Sequence, residues 1–324
     1  MKKVFAGKKV LFITTKNLDY LRNVQEINII KEEAESVEVL GYGNKQYPIR
    51  LLKLYFKLLF MSVKKYDMIF IGFAPQLIVP LFNLKFRKKK VVMDFFISVY
   101  DTMVFDRKKF KKNSFAGKFC RWIDIHCIKK ADMVICDTNA HGDYFSEEFG
   151  VSRDKIQTLY LEADEKIYYK REANKPETIK DRFAVLYFGS VLPLQGIDVI
   201  NDAVALLKDN DKLYFYIIGP IKENIKKVKS DNVEYIDWLS QEQLAEYISY
   251  ADLCLAGHFN KDIDKAKRTI PGKAYIYEAM GKAMILGDNP ANRELYREGD
   301  GKYFVEMGNP EALAKKIIEV MERL

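Results

Sequence analysis

The sequence is poor in the features that mark secreted, membrane-spanning or metal-binding proteins. Its 324 residues include only four cysteines (Cys120, Cys127, Cys136 and Cys254) and no CxxC pair, so we expect reduced, mostly buried thiols. No apolar segment of the kind found in signal peptides follows the lysine-bearing N-terminus, and no run of about 18 uncharged apolar residues could span a bilayer. These absences favour a cytoplasmic globular protein, for which 48% apolar and 30% charged residues are typical.

The charge is distributed unevenly along the chain. Residues 1–175 contain 33 lysines and arginines against 21 acids, whereas residues 176–324 contain 20 against 24. A basic half beside an acidic half predicts that one domain meets an anionic partner. Nucleic acid is the weakest candidate because no aromatic-plus-basic recognition motif is present. An anionic membrane surface or a lipid-phosphate acceptor fits the same charge.

Strand-like and helix-like apolar patterns alternate along both halves of the chain. Short apolar runs such as 10–14, 67–72 and 133–136 are each followed by a longer helical pattern, and the alternation restarts at Ala184 after a polar segment. This predicts two Rossmann-like domains with doubly wound parallel sheets, at 1–165 and 183–324, joined by a linker at 166–182. Because ligands bind beyond the C-terminal ends of parallel strands, a cleft between the domains is the expected site.

The segment that begins at Pro48 is an apolar helical pattern interrupted by lysines. Lys53 and Lys57 are four residues apart, and Lys64 falls on the same side. Two interpretations remain open, a basic helix at a membrane interface or a core helix against the sheet. Residues 101–115 are expected to form a loop.

The stretch 265–295 combines cationic side chains with a helix start. Lys265, Arg268 and Lys273 precede a helix-forming run that carries Glu278. Cations near a helix N-terminus are well suited to phosphate, because the backbone N–H groups and the helix dipole favour negative charge there. The alternative is a surface loop with solvated lysines.

The second half resembles the sugar-nucleotide-binding domain of GT-B glycosyltransferases, in particular the retaining group one family. Three segments carry the resemblance in order and spacing: YFGSVLPLQGIDVINDA (187–203), VEYIDWLSQEQLAEYISYADLCL (233–255) and KAKRTIPGKAYIYEAMGKAMILGDNPANREL (265–295). NPEALAKKI (309–317) continues it. In the first half, RWIDIHCIKKADMVICDTNAHGDYF (121–145) is similar to the end of the family's acceptor domain.

The resemblance implies that the diphosphate of the donor binds the loop from Gly189 to Gly196. Gly189 and Ser190 would lie against the diphosphate, because small residues let backbone N–H groups approach closely, and Gly196 would close the loop. Many relatives carry a lysine where this chain has Gln195. The loop therefore lacks a cation at that position.

Other cations are expected to replace the missing lysine. Lys265, Arg268 and Lys273 are the candidates, and relatives with a P-x-K motif carry a lysine where Lys273 stands. Glu278 matches the acid that binds ribose hydroxyls or the donor sugar. A second glutamate that many relatives carry eight residues earlier is Ile270 here, so the two-glutamate signature is incomplete.

The turn at Asn289 to Ala291 matches the backbone that approaches the sugar, and Glu294 matches a residue that holds the ribose. Fixed cations and aimed N–H groups stabilise the diphosphate leaving group more in the transition state than in the ground state. The implied reaction is retaining and uses no metal or other cofactor. Asp262 and Asp264 could form a metal-binding pair, but solvated surface acids are the ordinary explanation.

An acceptor hydroxyl also has to lose a proton. Asp94, at the end of the predicted strand 90–96, is the first candidate for the base, and Asp101 is the second. Because a leaving phosphate can take the proton in a retaining enzyme, Asp94 could instead position the acceptor. His126 and His141 lie in helical patterns and are expected to be packed or exposed, whereas His258 follows a strand and is a candidate contact to the donor sugar.

These observations together predict a glycosyltransferase that moves a sugar from a UDP- or GDP-linked donor to a saccharide or lipid-linked acceptor, in the synthesis of cell-surface polysaccharide or glycoconjugate. Its expected location is cytoplasmic, with peripheral binding at the inner membrane face. Two alternatives remain, a sugar-nucleotide epimerase of the same fold and a non-catalytic partner subunit.

Overall fold

The computed structural model describes residues 2–43, 46–190, 192–221, 225 and 227–324. It consists of two compact units, Met1–Glu162 and Ala163–Leu324. Each unit contains a six-stranded sheet in which the paired strands run parallel, with helices between the strands. The predicted fold class is confirmed. The division falls three residues before the predicted end of the first domain.

The sheet of the N-terminal unit has the strand order β2-β1-β3-β4-β5-β6. Its central strand β3 is buried along its whole length, as a strand covered by helices on both faces must be. The strands are β1 (Lys9–Ile13), β2 (Ser36–Leu40), β3 (Met68–Ile71), β4 (Lys90–Asp94), β5 (Met133–Cys136) and β6 (Ile156–Thr158). The helices are α1 (Leu21–Glu33), α2 (Tyr47–Phe60), α3 (Val79–Phe86), α4 (Phe115–Ile128) and α5 (Asn139–Phe149).

The chain between β4 and α4 differs from the predicted loop. Residues Asp101–Asp106 form a short π-helical segment. The residues just before this segment are fixed by the buried carboxylate of Asp124 on α4. It accepts hydrogen bonds from Ser98 Oγ at 2.7 Å and from the Tyr100 N–H at 2.8 Å. The expectation of a loop was wrong for Asp101–Asp106, because these contacts come from a helix that follows in the sequence, whereas residues 107–114 form neither helix nor strand.

The sheet of the C-terminal unit has the order β12-β11-β10-β7-β8-β9. The chain therefore reverses direction across the sheet between β7 and β10, which is where ligands bind in Rossmann folds. The strands are β7 (Phe183–Phe188), β8 (Leu213–Ile218), β9 (Val233–Ile236), β10 (Leu253–Gly257), β11 (Ala283–Gly287) and β12 (Lys302–Val305). The helices are α6 (Ile197–Leu207), α7 (Gln241–Tyr250), α8 (Asp264–Arg268), α9 (Gly272–Ala279), α10 (Pro290–Leu295) and α11 (Pro310–Met321).

The polar segment before β7 packs onto the C-terminal unit. Tyr168 and Ile179 are buried, and the Lys175 ammonium forms an ion pair with Asp252. Asp252 also accepts the Ala184 N–H at 2.7 Å, which ties the segment to the first residues of β7. None of the helices in the described ranges is long and apolar enough to cross a membrane.

Candidate functional site

Two loops meet at the point where the sheet of the C-terminal unit reverses. One follows β7 and runs from Gly189 to Gly196, with residue 191 outside the described residues, and the other follows β10. The Phe259 N–H donates to the Gln195 carbonyl at 3.2 Å. A Cβ atom on Gly196, whose φ is +69°, would lie 2.8 Å from the Asn260 nitrogen. Only glycine permits this close packing of the two loops.

Gly189 contributes space rather than a hydrogen-bond donor. Its N–H donates to the Ile218 carbonyl at 2.9 Å. A Cβ atom built on Gly189 would lie 3.3 Å from Lys273 Nζ. The gap left by the missing side chain is therefore lined by a cation. Ser190, next in the loop, is exposed.

Lys273 is the cation that the structure brings to this loop. It lies in the first turn of α9 and is buried, and its ammonium donates a hydrogen bond to Gln195 Oε1. The same ammonium lies 4.7 Å from the centre of the Tyr187 ring. Burial lowers the pKa of Lys273 to about 7, because removing the ammonium from water disfavours its charged form. Lys273 thus stands beside the residue that replaces the lysine of relatives.

The other two predicted cations lie on α8, a short helix that the sequence did not predict. Lys265 and Arg268 are half-buried there, and the Lys265 carbonyl accepts the Thr269 hydroxyl at 3.0 Å. His258 is buried between this helix and β10, with its Nδ1 3.1 Å from the Thr269 carbonyl. Burial and the nearby Lys273 ammonium lower the pKa of His258 to about 3, so its imidazole is neutral at physiological pH. The structure places His258 in the interior rather than on an open surface.

Two acids occupy the sequence-predicted sugar and ribose positions. Glu278, near the end of α9, is exposed, and its Oε2 accepts the Tyr296 hydroxyl at 3.2 Å. Glu294 on α10 is half-buried. Ile270, which stands where many relatives carry a glutamate, is buried. Glu278 is therefore the one carboxylate of the two-glutamate signature that this chain presents.

The turn before α10 is held by two asparagines. Asn289 Oδ1 accepts the Asn292 N–H at 2.9 Å and so caps the helix. Asn292 Nδ2 donates to the Gly287 carbonyl at 2.8 Å. Ala291 is fully buried beneath this turn. The family resemblance pointed to Asn289, but no pattern marked the buried Asn292.

Asp94, the first candidate for the acceptor base, lies inside the N-terminal unit. Its carboxylate is buried and pairs with the Arg22 guanidinium at 3.0 Å. Glu26, also fully buried, lies 3.3 Å from the same guanidinium. Because Asp94, Glu26 and Arg22 are buried together, we interpret Asp94 as part of a buried charge cluster.

The remaining predicted candidates of the N-terminal unit are packed. Asp101 is buried at the start of the π-helical segment. His141 is fully buried, with its Nδ1 2.6 Å from Asp137, whereas the half-buried ring of His126 stacks on Trp122 at 5.2 Å. Burial raises the pKa of Asp137, but His141 and Arg22 outweigh it and the pKa is lowered. None of these side chains is an exposed acid or base.

The arrangement around Lys273 coincides with a match to a known family. Residues 182–323 match the family described as Glycosyl transferases group 1. The match covers most of the C-terminal unit. All the predicted donor-binding residues, from Gly189 to Glu294, lie inside the matched range.

Two solved structures share the fold of nearly the whole chain. Anabaena HepE, solved in complex with UDP, has a TM-score of 0.64 at 14% identity, over 97% of this chain and 90% of that structure. Sucrose-phosphate synthase from Thermosynechococcus elongatus has a TM-score of 0.66 at 12% identity, with the same shares covered. At these identities the likeness establishes the GT-B fold and nothing finer.

A curated relative also matches the chain. An uncharacterized 41.2 kDa protein in the cps region of Klebsiella pneumoniae is 25% identical over 203 residues, which are 60% of this chain and 54% of that protein. The match thus spans about half the length of the curated relative.

The acidic residues near α8 make the local contacts that are usual for surface residues. Asp264 pairs with Lys267 at 2.9 Å, and the Asp262 N–H donates to Asn260 Oδ1 at 2.8 Å. Within the described ranges, no three His, Cys, Asp or Glu side chains are placed to hold a metal ion.

Proposed function

We propose that this protein is a glycosyltransferase that moves a sugar from a nucleotide-sugar donor to a saccharide or lipid-linked acceptor in cell-surface polysaccharide or glycoconjugate synthesis. The observation that carries the proposal is the buried ammonium of Lys273, which borders the gap at Gly189 inside a group 1 domain. The relative in a cps region agrees with this role.

Lys273 acts on the leaving group in this proposal. Breaking the sugar–phosphate bond increases the negative charge on the diphosphate, and a fixed ammonium stabilises that charge most in the transition state. Its place in the first turn of α9 adds the positive end of the helix dipole. Lys265 and Arg268 on α8 contribute further positive charge, and the protein uses no metal. The reaction retains the anomeric configuration, and the leaving phosphate accepts the acceptor proton.

Glu278, Glu294 and the turn at Asn289–Ala291 bind the sugar and ribose of the donor. Glu278 is exposed, and its contact with Tyr296 orients the carboxylate. The neighbour HepE was solved with UDP, which supports a uridine or related nucleotide. We propose a UDP- or GDP-linked sugar as the donor.

A thermal-shift panel with UDP, GDP, ADP, CMP and TDP tests the donor. A nucleoside diphosphate that binds only the folded protein raises its melting temperature, and we expect one of the diphosphates to do so far more than its nucleoside. If no diphosphate shifts the melting temperature, the proposed donor site is wrong. Incubation with UDP-sugars alone tests the alternative, because isomerisation without an acceptor would indicate an epimerase. Retained transfer in both Glu278→Ala and Lys273→Ala would refute their roles.

The membrane partner is a further part of the proposal, and α2 provides its main support. The side of α2 opposite its buried residues Leu54 and Leu58 carries large apolar side chains. Phe56 and Phe60 are 69% and 71% exposed, with ring centroids 4.8 Å apart. The helix therefore has one apolar face in the core and another in solvent.

Two neighbouring helices extend this exposed face. α3 packs beside α2 through the Tyr55 and Phe82 rings, 5.8 Å apart, and through Lys85 Nζ, which donates to the Leu59 carbonyl at 2.9 Å. α4, which contacts α3, carries a stack of Phe119 on Trp122. We call this surface the three-helix apolar face; its large exposed side chains are Leu52, Phe56, Leu59, Phe60, Leu81, Leu84, Phe115, Phe119 and Trp122. Large apolar patches on a protein surface commonly mark interaction sites.

The charge around this face favours an anionic lipid bilayer as the occupant. Residues 39–93 contain eleven lysines and arginines and a single acid, Asp67. Exposed cations such as Lys53, Lys57 and Lys88 lie on or near the helices that carry the apolar side chains. Apolar insertion together with attraction to anionic headgroups is the usual basis of interfacial binding. We propose that the protein is cytoplasmic and binds the inner membrane face through this surface.

Vesicle flotation tests this part of the proposal. We expect the protein to float with vesicles containing phosphatidylglycerol, less with pure phosphatidylcholine, and less as salt rises. Phe56→Ser/Phe60→Ser should reduce flotation strongly, whereas Trp238→Ser, an equally exposed aromatic in the C-terminal unit, should not. Absence of flotation at low salt would refute the membrane partner, and a dimer that the same double variant disrupts would identify a second copy as the occupant instead.

A further inference from the structure

The hydroxyl of Tyr187 is a buried polar group at the end of β7. The side chain is fully buried, and among the described residues its hydroxyl has no hydrogen-bond partner. A buried polar group without a partner destabilises the folded protein, because it loses its hydrogen bonds to water and gains none. Such a group calls for an explanation, and a bound ligand is one.

The position of this hydroxyl supplies the explanation. A Cβ atom built on Gly189 would lie 3.5 Å from Tyr187 Oη and 3.3 Å from Lys273 Nζ. The hydroxyl and the ammonium therefore border the same gap, which exists because residue 189 has no side chain. The Tyr187 ring also lies beneath the Lys273 ammonium at 4.7 Å. Two donors and a glycine gap form a small anion-binding arrangement.

From this geometry we infer that the Tyr187 hydroxyl donates a hydrogen bond to a phosphate oxygen of the nucleotide donor, which enters the gap at Gly189 beside Lys273. The inference rests on the proposed function, since it needs a nucleoside diphosphate at this loop. It adds a neutral donor to the cations already assigned, and it gives the buried hydroxyl the partner that the described residues do not provide.

The variant Tyr187→Phe tests the inference, because it removes the hydroxyl and keeps the ring beneath Lys273. We expect UDP, or the diphosphate that the thermal-shift panel selects, to bind at least about tenfold more weakly, as for a lost hydrogen bond to a charged group. Binding of the corresponding nucleoside should not change. The melting temperature of the free variant should rise by a few degrees, because an unpaired buried hydroxyl has been removed. A purely structural role for the hydroxyl would not combine greater stability with weaker diphosphate binding.

Tyr235→Phe is the matched control. The Tyr235 hydroxyl donates to Asn201 Oδ1 at 2.7 Å and accepts the Val228 N–H at 2.9 Å, so its removal should lower the melting temperature and leave diphosphate binding unchanged. If wild type binds the diphosphate and Tyr187→Phe binds it equally well, the inference is overturned and the proposed function stands. If wild type binds no nucleoside diphosphate, both the proposed function and the inference fail.

Discussion

The ammonium of Lys273 donates a hydrogen bond to the side-chain oxygen of Gln195, 78 positions earlier in the chain. Gln195 stands where many group one relatives carry a lysine. The two side chains are thus close enough for a charge on either one to lie in nearly the same place. In this chain the first turn of α9 supplies the ammonium beside the loop after β7.

An exchange of the two residues tests this relationship. Lys273→Gln should weaken binding of a nucleoside diphosphate by about ten- to a hundredfold, since charged hydrogen bonds contribute about 1.5–3 kcal/mol. Gln195→Lys/Lys273→Gln should recover much of the loss, because it restores one ammonium to the same place. Calorimetric titration with UDP and uridine measures both effects. No recovery in the double variant, or equal losses for UDP and uridine, would contradict the assignment of Lys273 to the diphosphate.

The lowered pKa of Lys273 predicts proton uptake on binding. Burial brings the pKa to about 7, so above that pH a growing share of the free protein carries a neutral amine. A bound diphosphate favours the ammonium, and binding above about pH 7 should therefore take up a proton. Titration of UDP in buffers of different ionisation enthalpy measures this uptake. Identical enthalpies in all buffers, or the same dependence in Lys273→Gln, would contradict it.

The same group should make stability depend on pH. The unfolded lysine has a pKa of about 10.4, so between about pH 7 and 10 the unfolded chain binds more protons than the folded one. The free energy of unfolding should therefore increase as pH rises from about 7 to 10. The increase due to Lys273 should disappear again as pH falls to about 7. Lys273→Met should remove this contribution and stabilise the free protein most below pH 7. Urea unfolding of both proteins across the range measures the difference.

Arg22, Asp94 and Glu26 form a buried cluster, so substitution of Asp94 should lower the stability of the protein. If Asp94 were instead the catalytic base, its substitution should lower the reaction rate. Asp94→Asn removes the negative charge that lies 3.0 Å from the Arg22 guanidinium, and breaking a buried ion pair in this way costs about 3–5 kcal/mol. Asp143→Asn, which breaks the exposed pair with Arg153, should cost less than about 1 kcal/mol. Urea unfolding gives both values. Wild-type stability with lost transfer activity in Asp94→Asn would instead support Asp94 as the base.

The third member of this cluster should behave differently from Asp94. Burial and the Asp94 charge raise the pKa of Glu26 well above its usual value, and Arg22 only partly opposes them. The raised pKa means that this acid supports folding while it is protonated, and that support is lost as pH rises through the folded pKa. Glu26→Gln, a mimic of the protonated acid, should therefore be tolerated far better than Asp94→Asn.

The alternation of apolar runs was sufficient to predict the fold. β5 has the bounds that its apolar run, 133–136, predicted, because a continuous apolar strand is a local signal. The short helix α8 was not predicted, because a segment with three cations in five residues is typical of a solvated loop. The π-helical segment was not predicted, because Asp124, which binds the residues just before it, lies 23 residues beyond Asp101.

The site was predictable only in outline. Family motifs pointed to the loop after β7 and to Lys273, and the structure brings the two together. Contacts between residues that are far apart in the chain could not be predicted. Asp94 therefore looked like an available carboxylate at a strand end, although it is paired with Arg22, 72 residues earlier. Burial of the Tyr187 hydroxyl was equally invisible, since a tyrosine in a strand usually indicates packing alone.

A final prediction concerns the contact that shapes the loop after β7. Gly219, at the end of β8, has φ +133°, and a Cβ atom there would lie 2.1 Å from the Gly189 carbonyl oxygen. Gly219→Ala must therefore displace Gly189, because the clash is with backbone and the conformation is strained for any L side chain. We expect a loss of stability of about 1–3 kcal/mol and weaker UDP binding. Gly43→Ala is the control, since nothing lies within 4 Å of its added Cβ and it should leave UDP binding unchanged. Urea unfolding and UDP titration measure both variants, and wild-type behaviour of Gly219→Ala would show that the loop does not depend on this contact.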